Sequence, residues 1–277
     1  MYSTFKLWPE QVNFICIKIG MSLFFSTFRN TLTGIPTSIL PYVYLSQISY
    51  EKALNLQKLL VRRRFENKNS SDLLLLLQHP PTFTTGRRDI GKTMNDEAYL
   101  RKLGAEYFET LRGGQTTFHG PGQLVGYPIL DLRNFKLSVR CYVAAIEHVI
   151  INTCNAYGIV ASTTKNTGVW VGDDKICAIG IQVQRFITSH GFALNCNTDL
   201  NWFDHIIPCG LEDKKMTSLT NEYAKEGKKT IITVEQVIPT LCQHFGYVFG
   251  RPLKPLKDVN NESDRALMQI LDEFLMI

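Results

Sequence analysis

The feature that most constrains this fold is an uninterrupted run of five leucines, Leu73–Leu77. The run is far shorter than the ~20 apolar residues that a membrane helix needs. Polar Asp72 precedes it, and His79-Pro80-Pro81 ends it. A short apolar run between such boundaries predicts a buried β-strand over Asp72–Gln78.

Four other segments show helical periodicity and helix-capping residues. We predict helices over Ser49–Arg64, Ser138–Tyr157, Thr233–Phe245 and Ser263–Leu275. Ser49 and Ser138 are suited to be N-caps, because their hydroxyls can accept hydrogen bonds from the free amides of the first turn. Thr233 and Gln236 have the spacing of a capping box.

The segment between the second and third of these helices is rich in strands. Val169–Val171 is followed by a turn at Gly172-Asp173-Asp174, after which Lys175 opens a strand over Ile176–Val183. A third strand is predicted over His190–Cys196. This mixture of helices and hairpins predicts an α+β chain rather than a doubly wound parallel sheet.

The overall composition is that of an ordinary globular protein. Of 277 residues, 44% are hydrophobic and 20% are charged, which excludes wholesale disorder, collagen and coiled coil. Lys and Arg number 30 against 25 Asp and Glu, a formal net charge of +5. This excess is compatible with an acidic protein partner but is too small to argue for nucleic acid by itself.

The first 40 residues differ from the rest of the chain. No acidic residue occurs between Glu10 and Glu51, and residues 21–38 are rich in Ser and Thr and contain Arg29. This composition is typical of an organellar transit peptide, and a disordered or folded extension is the alternative. Folded structure is predicted to begin near Pro41, and Arg251–Asn261 has the composition of a polar, proline-containing linker.

The densest glycine cluster lies in the segment Arg112–Gln123, which reads RGGQTTFHGPGQ. Its glycines allow the backbone to approach a ligand closely, while Arg112, Gln115 and His119 offer polar contacts. The segment matches neither the dinucleotide-binding fingerprint nor the P-loop, so it does not indicate a nucleotide. A structured turn without a ligand is the alternative.

Cys209 is the best candidate nucleophile among seven scattered cysteines, because it lies in a loop between Pro208 and Gly210. For the other cysteines, packing in the core is the default. A thiol with an ordinary pKa of ~8.5 needs a cationic neighbour to become a thiolate near neutral pH. The spacings match no usual zinc signature. The candidate neighbours are Lys175, His119, His190 and His205.

Two strand segments, Ala178-Ile179-Gly180 and Gly191-Phe192-Ala193, carry small residues that can line a slot for an acyl chain. A tightly packed sheet core explains the same residues equally well.

These segments together resemble the lipoyl(octanoyl) transferases. The matching stretches are HPPTFTTGRR from His79, RGGQTTFHGPGQLVGYPILDL from Arg112, GVWVGDDKICAIGI from Gly168, SHGFALNCNTDLNWF from Ser189 and IIPCGL from Ile206. The resemblance covers roughly residues 42–250. It therefore implies a catalytic domain over 41–250, preceded by an N-terminal extension over 1–40 that is a mitochondrial transit peptide and followed by a linker and helix over 251–277.

The family implies an α/β fold with a mixed sheet and flanking helices, shared with the catalytic domains of biotin and lipoate protein ligases. It implies transfer of an octanoyl (or lipoyl) group from octanoyl-acyl carrier protein to a specific lysine of a lipoyl domain. The implied acceptors are the E2 subunits of 2-oxoacid dehydrogenases and the glycine cleavage H protein, in the mitochondrial matrix. No ATP, metal, nucleic acid or membrane span is expected.

The resemblance also assigns the site. Cys209 matches the nucleophile that carries the acyl thioester, and Lys175 matches the partner that lowers its pKa and moves protons. The family's substrate-binding stretches fall on Arg112, Gly113, Gly114, Gln115, Thr116, Thr117, Phe118 and His119, on Ala178, Ile179 and Gly180, and on Gly191, Phe192 and Ala193.

Three other functions fit parts of the sequence. An ATP-dependent lipoate ligase on the same fold would use the glycine-rich segment and a lysine but would not need Cys209. A cysteine hydrolase would release free acid without an acceptor domain. A non-catalytic binding module, such as a basic nucleic-acid binder, would bind with an affinity that falls steeply with salt.

Overall fold

The structure, a computed structural model, describes residues 38–67, 70–91, 94–206 and 214–276. Its strands are β1 (Leu40–Gln47), β2 (Leu73–Gln78), β3 (Thr82–Thr85), β4 (Glu106–Glu109), β5 (Thr117–His119), β6 (Gln123–Ile129), β7 (Val169–Val171), β8 (Asp174–Gln184), β9 (Ile187–Asn195) and β10 (Leu253–Pro255). Its α-helices are α1 (Tyr50–Glu66), α2 (Met94–Lys102), α3 (Leu132–Phe135), α4 (Val139–Ala156), α5 (Leu219–Lys225), α6 (Val234–Phe249) and α7 (Glu262–Met276). Short 3-10 helices occupy Leu200–His205 and Leu256–Asp258.

Two sheets organise the described residues. The larger has seven strands in the order β10-β1-β2-β6-β9-β8-β7, and the smaller has three in the order β4-β3-β5. In the larger sheet β1 runs parallel to both its neighbours, and the remaining pairs are antiparallel. The mixed sheet with flanking helices confirms the predicted α+β fold class.

The leucine run forms β2, as predicted, near the middle of the larger sheet. Side chains of successive strand residues point to opposite faces. Leu74 and Leu76 pack into the core cluster that contains residues of α4 and α6, whereas Leu73, Leu75 and Leu77 pack with residues of α1 and α7. Because both faces are covered, every residue of the run is apolar. No helix in the described ranges is long and apolar enough to cross a membrane.

Three of the four predicted helix starts are confirmed, and the fourth helix begins at Glu262, one residue before the predicted start at Ser263. The Ser49 hydroxyl accepts from the Lys52 amide at 3.4 Å, and the Ser138 hydroxyl accepts from the Cys141 amide at 3.2 Å. The capping box of Thr233 and Gln236 is present at the start of α6. Local hydrogen-bonding chemistry therefore sets where these helices begin.

The segment predicted as a linker, Arg251–Asn261, is part of the fold. Within it, β10 pairs in parallel with the start of β1, with Leu253 opposite Leu40. An edge strand pairs on one side only, so it tolerates polar residues and Pro255, which conceal it in the sequence. Leu256 is then buried, and α7 packs Leu267 and Leu271 against α1. The linker interpretation is wrong at β10, and the domain boundaries remain a prediction.

The carboxylate of Asp72, just before β2, joins this C-terminal segment to the sheet. It accepts hydrogen bonds from Arg64 Nη2 at 2.7 Å, Arg251 Nη1 at 2.6 Å, the Asp131 amide at 2.8 Å and Asn134 Nδ2 at 3.1 Å. A buried carboxylate is stable only when its oxygens are satisfied in this way.

We predict that Arg251→Ala lowers the free energy of unfolding by about 2–3 kcal/mol, because it removes one of two cations from the buried Asp72 carboxylate. Urea denaturation monitored by circular dichroism measures the change. Arg62→Ala is the matched control, since Arg62 is 77% exposed and pairs only with Glu66 at the surface. Equal free energies of unfolding for the two variants would show that the hydrogen bonds of Asp72 to the C-terminal segment do not stabilise the fold.

Candidate active site

A partly open pocket lies between the start of α1, the glycine-rich segment and strands β8 and β9. It encloses about 440 Å³, including space open to solvent. Eleven residues that the sequence assigned to substrate binding line it: Arg112, Gly114, Gln115, Thr117, His119, Ala178, Ile179, Gly180, Gly191, Phe192 and Ala193. The glycine-rich segment and the two facing strand segments of β8 and β9 therefore meet at one cavity. Tyr50, Tyr127 and His190 also line it and were not assigned to substrate binding from the sequence.

The pocket lies where the pairing of β6 with β9 is interrupted. The ladder runs from Gln123 opposite Asn195 to Gly126 opposite Phe192, and the next main-chain bond is from the Thr188 amide to the Leu130 carbonyl, at 2.9 Å. Two features explain the gap.

The two residues at the gap cannot continue the ladder. Pro128 has no N–H to donate. His190 has a left-handed backbone with φ of 53°, and its amide donates instead to Gln57 Oε1 of α1 at 2.6 Å. The separation of the strands therefore follows from one missing donor and one residue with an unusual φ, and helix α1 supplies the compensating hydrogen bond.

Glycines allow the walls of the pocket to approach each other closely. A Cβ on Gly180 would lie 2.8 Å from the Gly113 carbonyl oxygen, and one on Gly191 would lie 2.1 Å from the Gly126 carbonyl oxygen. The Gly113 amide donates to the Ile181 carbonyl at 2.9 Å, which fixes the glycine-rich segment on β8. The two segments thus pack tightly at their glycines and also line the cavity, and the slot for an acyl chain stays a prediction.

Arg112 holds the glycine-rich segment in shape. Its guanidinium is buried and donates to the Thr84 carbonyl at 2.6 Å, the Thr84 hydroxyl at 2.8 Å, the Gln115 carbonyl at 2.9 Å and the Gly113 carbonyl at 3.0 Å. The sequence suggested that this cation meets a carbonyl or an anion, and the structure shows that it meets carbonyls of the chain itself.

The structure does not place Phe118 in the pocket. Strand alternation turns Phe118 away from the side of Thr117 and His119. Its ring stacks on Trp202 at 5.2 Å between centroids and packs edge-on against Phe203. Gly113 and Thr116 are also absent from the lining. The Thr116 hydroxyl instead lies 3.0 Å from that of Thr85.

Three buried histidines surround the inner part of the site. Burial lowers the pKa of His79 to about 4 and that of His190 to about 3, and it holds the pKa of His119 well below the usual value. The Arg112 guanidinium contributes to the last two shifts. All three imidazoles are therefore neutral near pH 7, with Tyr50 stacked on His119 at 5.9 Å between ring centroids.

Lys175 is buried at the start of β8 beside a segment from outside the sheet. Its amide donates to the Lys215 carbonyl and its carbonyl accepts from the Thr217 amide, each at 2.9 Å. Its Nζ lies 4.7 Å from the centre of the Trp170 ring, a cation–π contact. In the described part of the chain, no carboxylate lies within ion-pair distance of this ammonium.

Cys209 lies outside the described residues, and so do its neighbours Pro208 and Gly210. The chain on either side of them is well anchored. Before this stretch, Phe203 packs into the aromatic cluster around Phe118. After it, Lys214 forms an ion pair with Asp173, two residues from Lys175.

Four of the other cysteines are packing residues, as predicted. Cys154, Cys177, Cys196 and Cys242 are free and buried. Burial raises the pKa of Cys154 and of Cys242 to about 12 and raises those of the other two as well. None of these four thiols is suited to nucleophilic chemistry near neutral pH.

We predict that the free energy of unfolding decreases as the pH falls from about 6.5 towards 4. In this range His79, His119 and His190 become protonated in the unfolded chain but stay neutral in the folded protein. Each such histidine contributes a slope of up to ~1.4 kcal/mol per pH unit. Urea denaturation between pH 4.5 and 7.5 measures the slope.

His190→Asn is the informative variant, because Asn tolerates the left-handed backbone but does not titrate in this range. We expect its slope to be shallower by about one proton per molecule. Equal slopes in the variant and the unmodified protein would contradict the burial of a neutral imidazole at this position.

The fold is similar to those of solved lipoate protein ligases. Lipoate-protein ligase A bound with ATP aligns with a TM-score of 0.59 and 14% identity, covering 85% of this chain and 94% of that one. A bipartite lipoate protein ligase from Thermoplasma acidophilum aligns with a TM-score of 0.58 and 14% identity, covering 84% and 92%. At this level of identity the likeness establishes the fold, so the chain is a domain of the lipoate protein ligase fold.

Sequence comparison narrows this class. The family model of the lipoyl protein ligase A/B catalytic domain matches residues 49–246. A zebrafish (Danio rerio) protein named octanoyl-acyl-carrier-protein:protein N-octanoyltransferase LIPT2, mitochondrial, is 48% identical over 209 residues, which are 75% of this chain and 91% of that protein. An octanoyltransferase of Acidobacterium capsulatum is 43% identical over 227 residues, covering 76% and 91%.

The chain belongs to the lipoyl protein ligase A/B catalytic-domain family, and it is an acyltransferase of the octanoyltransferase type. The resemblance seen in the sequence motifs is thereby confirmed. The relatives from Danio rerio and Xenopus tropicalis are both named mitochondrial, which confirms the predicted mitochondrial location. The leader predicted over residues 1–40 falls almost entirely outside the described residues.

Proposed function

We propose that this enzyme moves an octanoyl group from an acyl carrier protein to a lysine of a lipoyl domain through a thioester on Cys209. The observation that carries the proposal is the buried Lys175 ammonium, for which the described residues supply no carboxylate. A buried cation of this kind favours an anion beside it. Cys209, in the stretch 207–213 that precedes the residues bonded to Lys175, is the residue whose thiolate we expect there.

In the first step, the Cys209 thiolate attacks the carbonyl carbon of the donor thioester. The bond from that carbon to the carrier sulfur breaks, a bond to Cys209 Sγ forms, and Lys175 gives a proton to the departing thiolate. One thioester replaces another, so the step is nearly balanced in free energy, and catalysis must lower the barrier by holding the reacting groups in place.

In the second step, the amine of the acceptor lysine attacks the Cys209 thioester. An amide forms, Cys209 leaves as a thiolate, and the proton lost by the amine returns to Lys175, which restores the starting state. This cycle consumes no ATP, and it needs one group that both donates and accepts a proton. We assign that role to Lys175, which is buried against the Trp170 ring.

The pocket supports an acyl substrate. One wall of the pocket is apolar and consists of Ala178, Ile179, Phe192 and Ala193. The residues next to this wall on β8 and β9, such as Cys177 and Leu194, are buried in the core. Apolar lining with a few polar groups is the usual composition of a small-molecule site.

The names of the relatives support our proposal for the two protein substrates. The zebrafish relative's name specifies an octanoyl-acyl carrier protein as donor and a protein as acceptor. The Thermoplasma acidophilum ligase was solved as part of a lipoylation system with its E2 lipoyl domain. We propose the corresponding donor for this chain, with E2 lipoyl domains and the glycine cleavage H protein as acceptors.

We predict that mixing the enzyme with octanoyl-acyl carrier protein, without ATP, adds the mass of one octanoyl group to the intact protein. Cys209→Ala abolishes this adduct, whereas Cys242→Ala, which removes a buried thiol of α6, leaves it unchanged. Intact-protein mass spectrometry measures both outcomes. An adduct on Cys209→Ala would contradict the thioester mechanism.

The acceptor and ATP separate the alternatives. A ligase would acylate the lipoyl domain only when octanoate and ATP are supplied together. A hydrolase would release octanoate at the same rate with or without the lipoyl domain. Dependence of product on the lipoyl domain, without ATP, supports transfer and excludes both.

We predict that Lys175→Met slows formation of the acyl adduct by about 10²–10⁴-fold, because the variant keeps an apolar stem but loses the charge and the mobile proton. Rapid-quench mass spectrometry measures the rate. Lys215→Met is the matched control, since Lys215 is exposed and only its backbone contacts Lys175. A normal acylation rate in Lys175→Met would remove Lys175 from the mechanism.

A further inference from the structure

A chain of buried polar groups runs from the pocket wall to the segment beside Lys175, and the proposed mechanism does not use it. A central member of this chain is Asn195, the last residue of β9, which is completely buried. Asn195 Nδ2 donates to the Thr217 carbonyl at 2.9 Å, and Asn195 Oδ1 accepts from Gln123 Nε2 at 2.9 Å. A carbonyl can only accept, so the orientation of the Asn195 amide is fixed.

The orientation of Gln123 is fixed in the same way. Its Nε2 also donates to the Phe118 carbonyl at 3.2 Å, so its Oε1 faces His119 Nδ1, at 2.9 Å. His119 must therefore carry its proton on Nδ1, and its Nε2 accepts from the Thr84 hydroxyl at 3.2 Å. That hydroxyl in turn accepts from the Arg112 guanidinium at 2.8 Å.

The hydrogen bonds thus run in one direction from Arg112 to Thr217. A second proton on His119 would leave Thr84 facing donors on both sides, which agrees with the low pKa of this imidazole. Every member of the chain is at most 6% exposed. A buried polar chain is stable only when all its members are satisfied together, so it specifies one arrangement of the elements that it joins.

At its far end the chain reaches the surroundings of Lys175. The Thr217 amide donates to the Lys175 carbonyl, and the Thr217 hydroxyl donates to Glu222. Residues 215–217 form a short parallel bridge with Lys175. The β7–β8 ladder pairs Lys175 with Trp170, and the bridge adds hydrogen bonds to the Lys175 backbone from a segment outside the sheet. Asn195 holds the bridge from the side of β9.

We propose that Asn195 and Gln123 are positioning residues for Lys175. They tie the bridge at residues 215–217 to the Arg112 and His119 wall of the pocket, so that the ammonium keeps one distance from a bound acyl group. This inference rests on the proposed function, because the hydrogen-bonded chain matters for catalysis only if Lys175 transfers protons as proposed. A displacement of ~1 Å in such an arrangement can reduce a rate by ~10²-fold.

Asn195→Asp tests the inference, because the two side chains have the same shape. The carboxylate still accepts from Gln123 but cannot donate to the Thr217 carbonyl. At pH 8 we expect kcat for octanoyl transfer to the lipoyl domain to fall by about 10–100-fold while the KM for the acyl donor changes less than about twofold. The pocket wall itself is unchanged, so binding of the acyl group persists.

The pH dependence distinguishes positioning from general damage. A buried carboxyl group is protonated at a higher pH than an exposed one, and the protonated form can again donate to Thr217. The ratio of the variant's kcat to that of the unmodified enzyme, measured at each pH, should therefore rise as the pH falls from 8 to 6. Asn195→Ala, which cannot regain a donor, should show a constant low ratio.

Asn197→Asp is the matched control, since Asn197 is exposed and two residues further along the chain. We expect it to behave as the unmodified enzyme at every pH. Wild-type kcat in Asn195→Asp, or a low ratio that does not change with pH, would overturn the inference. If the unmodified enzyme and Asn197→Asp still transfer octanoyl groups in that case, the inference about Asn195 fails while the proposed function remains supported.

Amide hydrogen exchange provides a second measurement if Asn195→Asp does not fold. In Asn195→Ala the Thr217 amide, which donates to Lys175, should exchange at least ~10-fold faster, while amides of β2 remain protected. Unchanged protection of Thr217 would overturn the inference. If the unmodified enzyme transfers no octanoyl group, the proposed function fails and this inference fails with it.

Discussion

The active-site architecture depends on the interruption between β6 and β9. A complete ladder would close the sheet at Pro128 and His190 and leave no room beside β8. Because Pro128 lacks a donor and His190 turns through a left-handed φ of 53°, the strands separate, and the His190 amide reaches Gln57 on α1. The helix that covers the sheet is therefore also part of the site, and it brings Tyr50 to the cavity.

The burial of the sheet on both faces gives the site its electrostatic character. The alternating leucines of β2 pack against helices on either side, so the residues next to the pocket lie away from water. In such surroundings every charge must be compensated or functional. Arg112 is compensated by carbonyls of its own loop and of Thr84, whereas the Lys175 ammonium lies against the Trp170 ring with no carboxylate of the described residues within ion-pair distance.

Much of this could be predicted from the sequence, for physical reasons that differ between elements. The leucine run and the capped helices carry local signals, and the glycine-rich segment carries a family motif that led to the pocket. Strands β4 and β10 are short, partly polar and at sheet edges, so neither periodicity nor burial distinguishes them from loops. Tyr50 and Gln57 reach the site only through the packing of α1, which no local pattern encodes.

The neutral histidines give the site a property that its composition does not suggest. His79, His119 and His190 offer three imidazoles close to the cavity, and exposed imidazoles would exchange protons near pH 7. Here burial keeps all three unprotonated, the Arg112 charge adds to this effect at His119 and His190, and the fixed direction of the hydrogen-bond chain assigns His119 a single tautomer. In the mechanism that we propose, proton transfer is then confined to the thiol, the acceptor amine and Lys175, while the histidines act as rigid donors and acceptors in and beside the pocket wall.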